Sequence, residues 1–386
     1  MPHPIRAAAL VLALTAPLWS PSGGAAAGEP YVVGAVVSET GPASTLGRPA
    51  SDSIHLAVDE INAAGGVNGH QLALTVLDDT STPDGAIDAG RKLLDMHPVA
   101  LIGSSGTPTS LAMVKIATDA GVPLISLGSS AQIIEPPAER RWIFKIPVAD
   151  TYIAMRLQQS LKARNLTRVA IVYRDDDYGK TGLAHFIETG KSVGITVIDS
   201  EAIAPTATDA TVQLTHVRAA NPQAVLVWTT LPSATVIAKA YRELSLSFPL
   251  YYSEGSANPI FLQQAGSATD GVIFATEKAA VADAIPASDP QKRVLTHYAS
   301  EFAKHYPNDG APSIFGGFGY DGVQVLAEGL RRSHGVGGEK LREALEHVTY
   351  VGVSGPFRMT PTDHNGLNIE AVELTRAEGG KFVVVR

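Results

Sequence analysis

Two short loops rich in serine, threonine and glycine carry the groups in this sequence that are best suited to bind an anion. The first loop, residues 103–110, follows the apolar run at residues 100–102, and a helical pattern begins within it. Hydroxyls and free backbone N–H groups at the start of a helix bind anions, and we expect a carboxylate here. Plain capping of the helix is the alternative. No lysine follows the glycines before Lys115, so the loop is not a phosphate-binding P-loop.

A second polar loop follows the next apolar run along the chain. Residues 122–126 lead into Leu127-Gly128-Ser129-Ser130. Consecutive strands of this kind usually lie side by side, and the carboxyl ends of parallel strands share one edge of the sheet. The two loops therefore predict one binding site for a small carboxylate.

A third candidate segment, residues 173–179, combines three adjacent aspartates with the aromatic ring of Tyr178. The aspartates lack the alternate spacing and the glutamate at the twelfth position that an EF-hand calcium loop requires. We interpret the segment as a solvated turn with Tyr178 facing a cleft. A ring that only packs in the core is the alternative.

Glu254 is the most specific single candidate. It directly follows an apolar strand pattern at residues 250–253. A charge buried there would be costly unless a cation met it, so a cationic ligand group is one interpretation. The other is a surface glutamate that caps the helix after Gly255.

Signatures of enzymes and cofactors are missing from the sequence. It contains neither a Gly-x-Ser-x-Gly elbow nor a His-Glu-x-x-His pair, and its 11 histidines are scattered singly. The glycine run at residues 316–319 lacks the GxGxxG register and a preceding strand. We therefore predict no catalysis, no metal and no cofactor.

The composition points to an exported protein. Arg6, the short apolar run at residues 7–14 and the alanines at 25–27 match a signal peptide over residues 1–27, with cleavage after Ala27. The absence of cysteine excludes disulfides and a lipidated N-terminal cysteine. With 30 basic and 38 acidic residues and no basic patch, nucleic acid is not an expected partner. We expect a monomer free in the periplasm.

Strand and helix patterns alternate along the chain, which is typical of parallel sheets covered on both faces. Strands are predicted at residues 32–37, 72–78, 100–102, 124–126, 169–173, 195–198, 224–228, 250–253 and 272–275. Clear helices are predicted at residues 82–96, 150–164, 208–220, 232–244, 289–305 and 320–333. This number of strands fits two doubly wound α/β sheets better than one. The closing VVVR run is expected to pair with the preceding IEAVEL run.

Residues 32–72 carry a family resemblance. A buried strand runs into ETGP, and the helix that follows reads LAVDEINAAGGVNG. This arrangement resembles the first unit of type I periplasmic binding proteins of the branched-chain amino-acid-binding family. The resemblance implies two lobes joined by a hinge of three crossings. Lobe 1 would be residues 28–146 with 273–355, and lobe 2 residues 147–272 with 356–386.

The resemblance also implies roles for the two polar loops, which hold the α-carboxylate and α-amino groups of an amino acid in the family. Thr107 and Ser130 match the two hydroxyls, and Gly128 matches the carbonyl donor site. Their neighbours with weaker claims are Ser105, Gly106 and Ser129. Across the cleft, Tyr178 matches the family's cleft tyrosine. Glu254 matches the acidic residue that binds the ligand's ammonium.

The sequence departs from the leucine-binding pattern in the side-chain pocket. Leu46 stands where that pattern has an aromatic residue, and Thr230 stands where it has a tyrosine. Trp228 and Tyr320 are further candidates for the pocket wall, although each could equally be a packing residue.

The resemblance implies a binding protein of an ABC importer, whose partner is the membrane permease. It would capture an amino acid, branched-chain or related, between two closing lobes. Two alternatives stay open: an aromatic or aliphatic carboxylate that lacks an amino group, and a sensory rather than a transport role.

Overall fold

The protein is described from a computed structural model that covers Met1, residues 28–308 and residues 310–385. Apart from Met1, the predicted signal peptide lies outside the described residues. Among the described residues, no helix has both the length and the apolar character to cross a membrane.

The first sheet follows the predicted alternation of strand and helix. Its strands are β1 (Gly28–Val37), β2 (His70–Asp78), β3 (Ala100–Gly103), β4 (Leu124–Ser126) and β5 (Ile143–Lys145), separated by α1 (Ser44–Ala63), α2 (Pro83–Leu94) and α3 (Thr107–Ala120). All neighbours are parallel, in the order β2-β1-β3-β4-β5. Because helices cover both faces, β3 and β4 are buried along their whole length and carry the continuous apolar pattern that made them visible in the sequence.

The second half of the chain builds a second sheet. Its elements are α4 (Asp150–Ala163), β6 (Arg168–Arg174), α5 (Asp177–Val193), β7 (Thr196–Ile203), α6 (Thr211–Ala220), β8 (Ala224–Trp228), α7 (Ser233–Glu243), β9 (Leu250–Tyr252), α8 (Pro259–Ala265) and β10 (Ile273–Glu277). They are followed by α9 (Lys292–His305), α10 (Ile314–Arg332), α11 (Glu339–Leu345), β11 (Thr349–Val351), β12 (Pro356–Arg358), β13 (Val372–Glu378) and β14 (Lys381–Val384). The strand order is β14-β13-β10-β9-β8-β6-β7, and β11 pairs only with β12.

The predicted fold class, two doubly wound α/β lobes, is confirmed. In the second sheet β6 to β10 are parallel, whereas β13 and β14 add an antiparallel edge. The predicted pairing of the closing run is confirmed too, since the N–H of Val385 donates to the carbonyl of Leu374 at 2.8 Å.

Helix α10 begins at Ile314, six residues before the predicted start. The glycine run at residues 316–319 lies inside this helix, where glycine is normally unfavourable. Close packing explains it: a Cβ on Gly319 would lie 2.3 Å from the carbonyl oxygen of Ala50 on α1. The glycines therefore let α10 and α1 approach one another closely.

The chain crosses between the lobes at positions that differ from the prediction. Strand β10 was assigned to lobe 1, but it pairs with β9 and β13 in the second sheet. Residues 356–367 were assigned to lobe 2, but β12 pairs with β11, and the N–H of Lys145 donates to the carbonyl of His364 at 3.1 Å. The pairing of β10 with β13, about a hundred residues later in the chain, decides the first assignment, and the contact between Lys145 and His364 decides the second. We therefore propose that lobe 1 is residues 28–145 with 278–367, and that lobe 2 is the rest.

One buried amide ties the crossing segments together. Asn365 Nδ2 lies 3.0 Å from the carbonyl oxygen of Lys145, 3.4 Å from that of Ile146 and 2.9 Å from that of Pro147. Its side chain is 2% exposed. The amide of Asn365, in the third segment that crosses between the lobes, thus donates to carbonyls of the first crossing segment.

Replacement of Asn365 by alanine should destabilise the folded protein, because it removes buried hydrogen bonds to the carbonyls of residues 145–147. The expected loss in the free energy of unfolding is about 1–3 kcal/mol, measured by urea denaturation. Gln263→Ala, an amide removed from an exposed position on α8, is the control. Equal stability of the two variants would contradict a structural role for Asn365.

Candidate ligand-binding site

A small cavity of about 40 Å³ lies between the two lobes, at the carboxyl ends of both sets of parallel strands. Its walls include, from lobe 1, Leu46, Ser105, Gly106, Thr107 and Ser129, and from lobe 2, Tyr178 and Thr230. All of these residues were predicted from the sequence. The structure therefore brings most of the candidate residues to one place.

The lobe 1 wall is the N-terminus of α3. Gly106 is the residue before the helix, and Thr107 is its first residue, whose N–H has no carbonyl partner within a helix. Thr109 performs the local capping, since its hydroxyl accepts the N–H of Gly106 at 3.3 Å. Capping therefore does not use the Thr107 hydroxyl, which instead accepts a hydrogen bond from the N–H of Ser130 at 3.4 Å and borders the cavity.

The second polar loop packs against the first one on the side away from the cavity. A Cβ on Gly128 would lie 2.8 Å from Ser110 Oγ and 3.1 Å from the Gly106 carbonyl, so only glycine fits without displacing the first loop. Ser130 is fully buried, and its hydroxyl accepts the N–H of Gln132 at 3.2 Å as the cap of a short 3-10 turn. Neither Gly128 nor Ser130 borders the cavity, whereas Ser129 does.

On the lobe 2 wall, the Tyr178 hydroxyl joins three polar groups. It lies 2.9 Å from Ser253 Oγ, donates to Glu254 Oε1 at 3.1 Å and accepts the N–H of Gly255 at 3.2 Å. Its ring packs on Trp228 with the centroids 6.3 Å apart. Tyr178 is thus a packing residue and a cavity residue at once.

Glu254 is completely buried, which removes the alternative of a surface turn. Its Oε2 atom has no hydrogen-bond partner among the described residues. Burial raises the pKa of Glu254 to about 8, with the negative charges of Glu277 and Asp150 as further causes. The side chain lies behind the cavity wall formed by Tyr178 and Gly255.

Glu254 belongs to a buried cluster of ionisable groups at the lobe junction, which we call the hinge cluster: Lys145, Asp150, Glu254 and Glu277. Burial raises the pKa of Glu277 to about 7 and lowers that of Lys145 to about 8. The Lys145 ammonium donates to the carbonyl of Pro147 at 2.5 Å. The cluster carries more acidic than basic groups, so an added cation would be favourable here.

Two predicted pocket residues lie elsewhere. Trp228 is fully buried in β8 beneath α5, where a Cβ on Gly182 would come within 2.1 Å of its ring. Tyr320 packs on Tyr298 at 5.1 Å, and its hydroxyl donates to Glu60 Oε2 at 2.6 Å. Neither borders the cavity, so packing accounts for both positions.

Sequence reasoning missed several residues of the wall, above all Arg174, Asp176 and Phe315. Arg174 ends β6, and its position after a strand was the available signal. Phe315 lies in the first turn of α10, a stretch that the sequence pattern did not identify as helix. Across the described residues, no group of three or more histidine, aspartate or glutamate side chains is arranged to hold a metal ion.

The family comparison is decisive for a chain with this architecture. A family model described as periplasmic binding protein matches residues 30–381. The chain belongs to this family. The periplasmic binding protein fold of two lobes around a cleft thus agrees with the geometry described above.

Named relatives agree with this membership. The Leu/Ile/Val-binding protein BraC3 of Rhizobium johnstonii is 24% identical, covering 91% of this chain and 92% of the relative. The leucine-, isoleucine-, valine-, threonine- and alanine-binding protein of Pseudomonas aeruginosa is 24% identical over 82% of each chain. An extracellular ligand-binding receptor from Rhodopseudomonas palustris HaA2 superposes with a TM-score of 0.86 at 25% identity, covering 92% of this chain and 99% of the other.

The raised pKa values of the hinge cluster predict that stability depends on pH. Both carboxyls, Glu254 and Glu277, have a folded-state pKa above the ordinary value of 4.5. Between about pH 5 and 7 the folded protein therefore binds more protons than the unfolded chain, and the free energy of unfolding should decrease as the pH rises. In Glu277→Gln this decrease should be smaller, by on the order of 1–3 kcal/mol. Urea denaturation at both pH values measures it, and parallel curves for wild type and variant would contradict the assignment.

Proposed function

We propose that this periplasmic binding protein captures an amino acid between its lobes and delivers it to the permease of an ABC importer. The observation that carries the proposal is a cavity bordered on one side by the N-terminus of α3 and on the other by Tyr178 and Gly255. The relatives named as Leu/Ile/Val-binding proteins support an amino acid as the ligand class.

The α-carboxylate would bind to the lobe 1 wall. The N–H groups at the start of α3 carry partial positive charge, and the helix dipole favours an anion there. The hydroxyls of Ser105, Thr107 and Ser129 surround the same position. This arrangement provides donors to a carboxylate without a basic side chain.

The α-ammonium would bind toward lobe 2, next to Gly255. A cation there would favour the ionised forms of the hinge-cluster carboxyls, and Glu254 Oε2 has no hydrogen-bond partner among the residues that the structure describes. A ligand ammonium would lower the pKa of Glu254 and stabilise its charged form. The amine-free carboxylate would leave this oxygen unpaired.

Export to the periplasm after cleavage at Ala27, action as a monomer and docking on an inner-membrane permease complete the proposal. Net charge supports the absence of a nucleic-acid partner, because the chain carries a formal charge of −8 at pH 7.

Glu254→Gln tests the ammonium site. If Glu254 pairs with the ammonium, the substitution should weaken leucine binding by about a hundredfold or more, corresponding to roughly 3–5 kcal/mol. Calorimetry with leucine and with 4-methylpentanoate, which lacks the amino group, separates the two ligand classes. Tight binding of 4-methylpentanoate that survives in the variant would contradict the amino-acid assignment.

Glu277→Gln is the matched control for this experiment. Glu277 is buried to the same extent as Glu254, but only Glu254 accepts a hydrogen bond from the cavity residue Tyr178. We expect a much smaller loss of affinity in this variant. Equal losses would show that the field of the hinge cluster, rather than contact with Glu254, acts on the ligand.

Thr107→Val tests the carboxylate site. The variant keeps the shape of the side chain but removes its hydroxyl, and a lost hydrogen bond to a charged group costs roughly 1.5–3 kcal/mol. Affinity should fall about tenfold or more without unfolding. Ser130→Ala should mainly lower the melting temperature, because its hydroxyl caps a turn behind the cavity. A larger affinity loss in Ser130→Ala than in Thr107→Val would reverse the two roles.

A further inference from the structure

Arg174 places a guanidinium group on the lobe 2 wall of the cavity. It is the last residue of β6, and its side chain is 14% exposed. Its Nε donates to Asp176 Oδ2 at 2.5 Å, and its Nη1 donates to the hydroxyl of Thr230. Arg174, Asp176 and Thr230 all border the cavity.

These two contacts fix the plane of the guanidinium and leave some of its N–H donors available for a ligand. An arginine side chain has five N–H donors in a rigid fork, and Asp176 and Thr230 occupy two of them. Nη2 makes no hydrogen bond to any residue that the structure describes. The edge formed by Nη1 and Nη2 has the geometry that binds a carboxylate in a bidentate manner.

Asp176 holds Arg174 in place without being free to move. Its Oδ1 accepts the N–H of Gly179 at 3.2 Å and so caps α5, while its Oδ2 binds Arg174. Thr230 stands where a leucine-binding pattern would have a tyrosine, and its small side chain leaves the guanidinium uncovered. Arg174 is therefore oriented from two sides and open on the third.

A wholly apolar ligand side chain would fit this wall poorly. Closure over leucine would remove water from the free N–H groups of Arg174 and supply no acceptor, which is costly for a charged donor. The remaining wall includes Leu46, Leu127 and Phe315, which suit the aliphatic stem of a ligand.

We infer that Arg174 is a specificity-determining residue that donates to an acceptor on the ligand's side chain, so that the cleft takes an acidic or amide-bearing amino acid in preference to leucine, isoleucine and valine. This inference rests on the proposed function, since it assumes an amino acid bound between the lobes. Arg174 would thus supply a second polar contact for the ligand, on the cavity wall opposite α3.

The test compares three amino acids of similar size by calorimetry on the mature protein: L-glutamate, L-glutamine and L-leucine. Wild type should bind L-glutamate or L-glutamine at least tenfold more tightly than L-leucine. Arg174→Met keeps the length and removes the donors, so the favoured ligand should lose at least tenfold in affinity while L-leucine binds as well or better. If Arg174 acts only in folding, the substitution should change all three affinities by the same factor. The melting temperature of the variant measures the loss of stability separately.

Asp176→Asn is the companion variant, because asparagine still caps α5 but no longer neutralises Arg174. It should shift the preference toward L-glutamate over L-glutamine if the ligand group is a carboxylate. A wild type that prefers L-leucine, with the same selectivity in Arg174→Met, would overturn the inference and leave the proposed function standing. Binding of none of the three amino acids to wild type would overturn both.

Discussion

The burial of ionisable groups where the chain passes between the lobes is the constraint on which the rest of the structure depends. Lys145, Asp150, Glu254 and Glu277 are all completely buried there, although each would be better solvated on the surface. Burial lowers the pKa of Lys145 and raises those of Glu254 and Glu277. It therefore favours the neutral form of each of these three groups. The carbonyls beside them have to be satisfied as well, and Asn365 does this for residues 145–147. The buried ionisable groups and the hydrogen bonds of Asn365 therefore restrain the crossing segments.

This fixed junction determines where the cavity can be. Because the crossings hold the carboxyl ends of both sheets toward each other, the loops after β3 and β4 face the loops after β6, β8 and β9. Each loop then contributes what its own sequence allows. Glycine at Gly128 permits close contact between the two lobe 1 loops, and the hydroxyl at Tyr178 connects α5 with the turn at Glu254.

Local pattern was sufficient to predict most of the fold and the lobe 1 half of the site. Strands such as β8 are buried on both faces and appear in the sequence as continuous apolar runs, and the polar residues that follow them mark the cavity edge. What failed depended on contacts between distant residues. The membership of β10 in the second sheet follows from pairing with β13, about a hundred residues later in the chain. Strand β5 was also missed, because its buried Lys145 interrupts the apolar run.

The same reason explains the errors in the site. Arg174 owes its orientation to Asp176 and to Thr230, and Thr230 lies 56 residues away in sequence, so the local sequence alone did not indicate a fixed guanidinium. Tyr320 was a candidate for the pocket wall, but it packs in the core, whereas Phe315 in the unpredicted first turn of α10 borders the cavity. Glycine has a low helix propensity, so the glycine run argued against a helix. In the folded protein, the close packing of α10 against α1 outweighs that cost.

The two walls of the cavity have unequal consequences for binding. A ligand that contacts only the lobe 1 wall binds the open and the closed arrangement equally well, and so it cannot favour closure. In the proposed binding mode, contacts with Tyr178, Arg174 and the turn at Glu254 would form only when lobe 2 approaches lobe 1, so their free energy would be the part that drives closure. A poor fit at the lobe 2 wall should therefore reduce closure more than it reduces initial capture. If a permease recognises the closed arrangement, selectivity for transport is decided on the lobe 2 wall, where this chain departs from the leucine-binding pattern at Thr230.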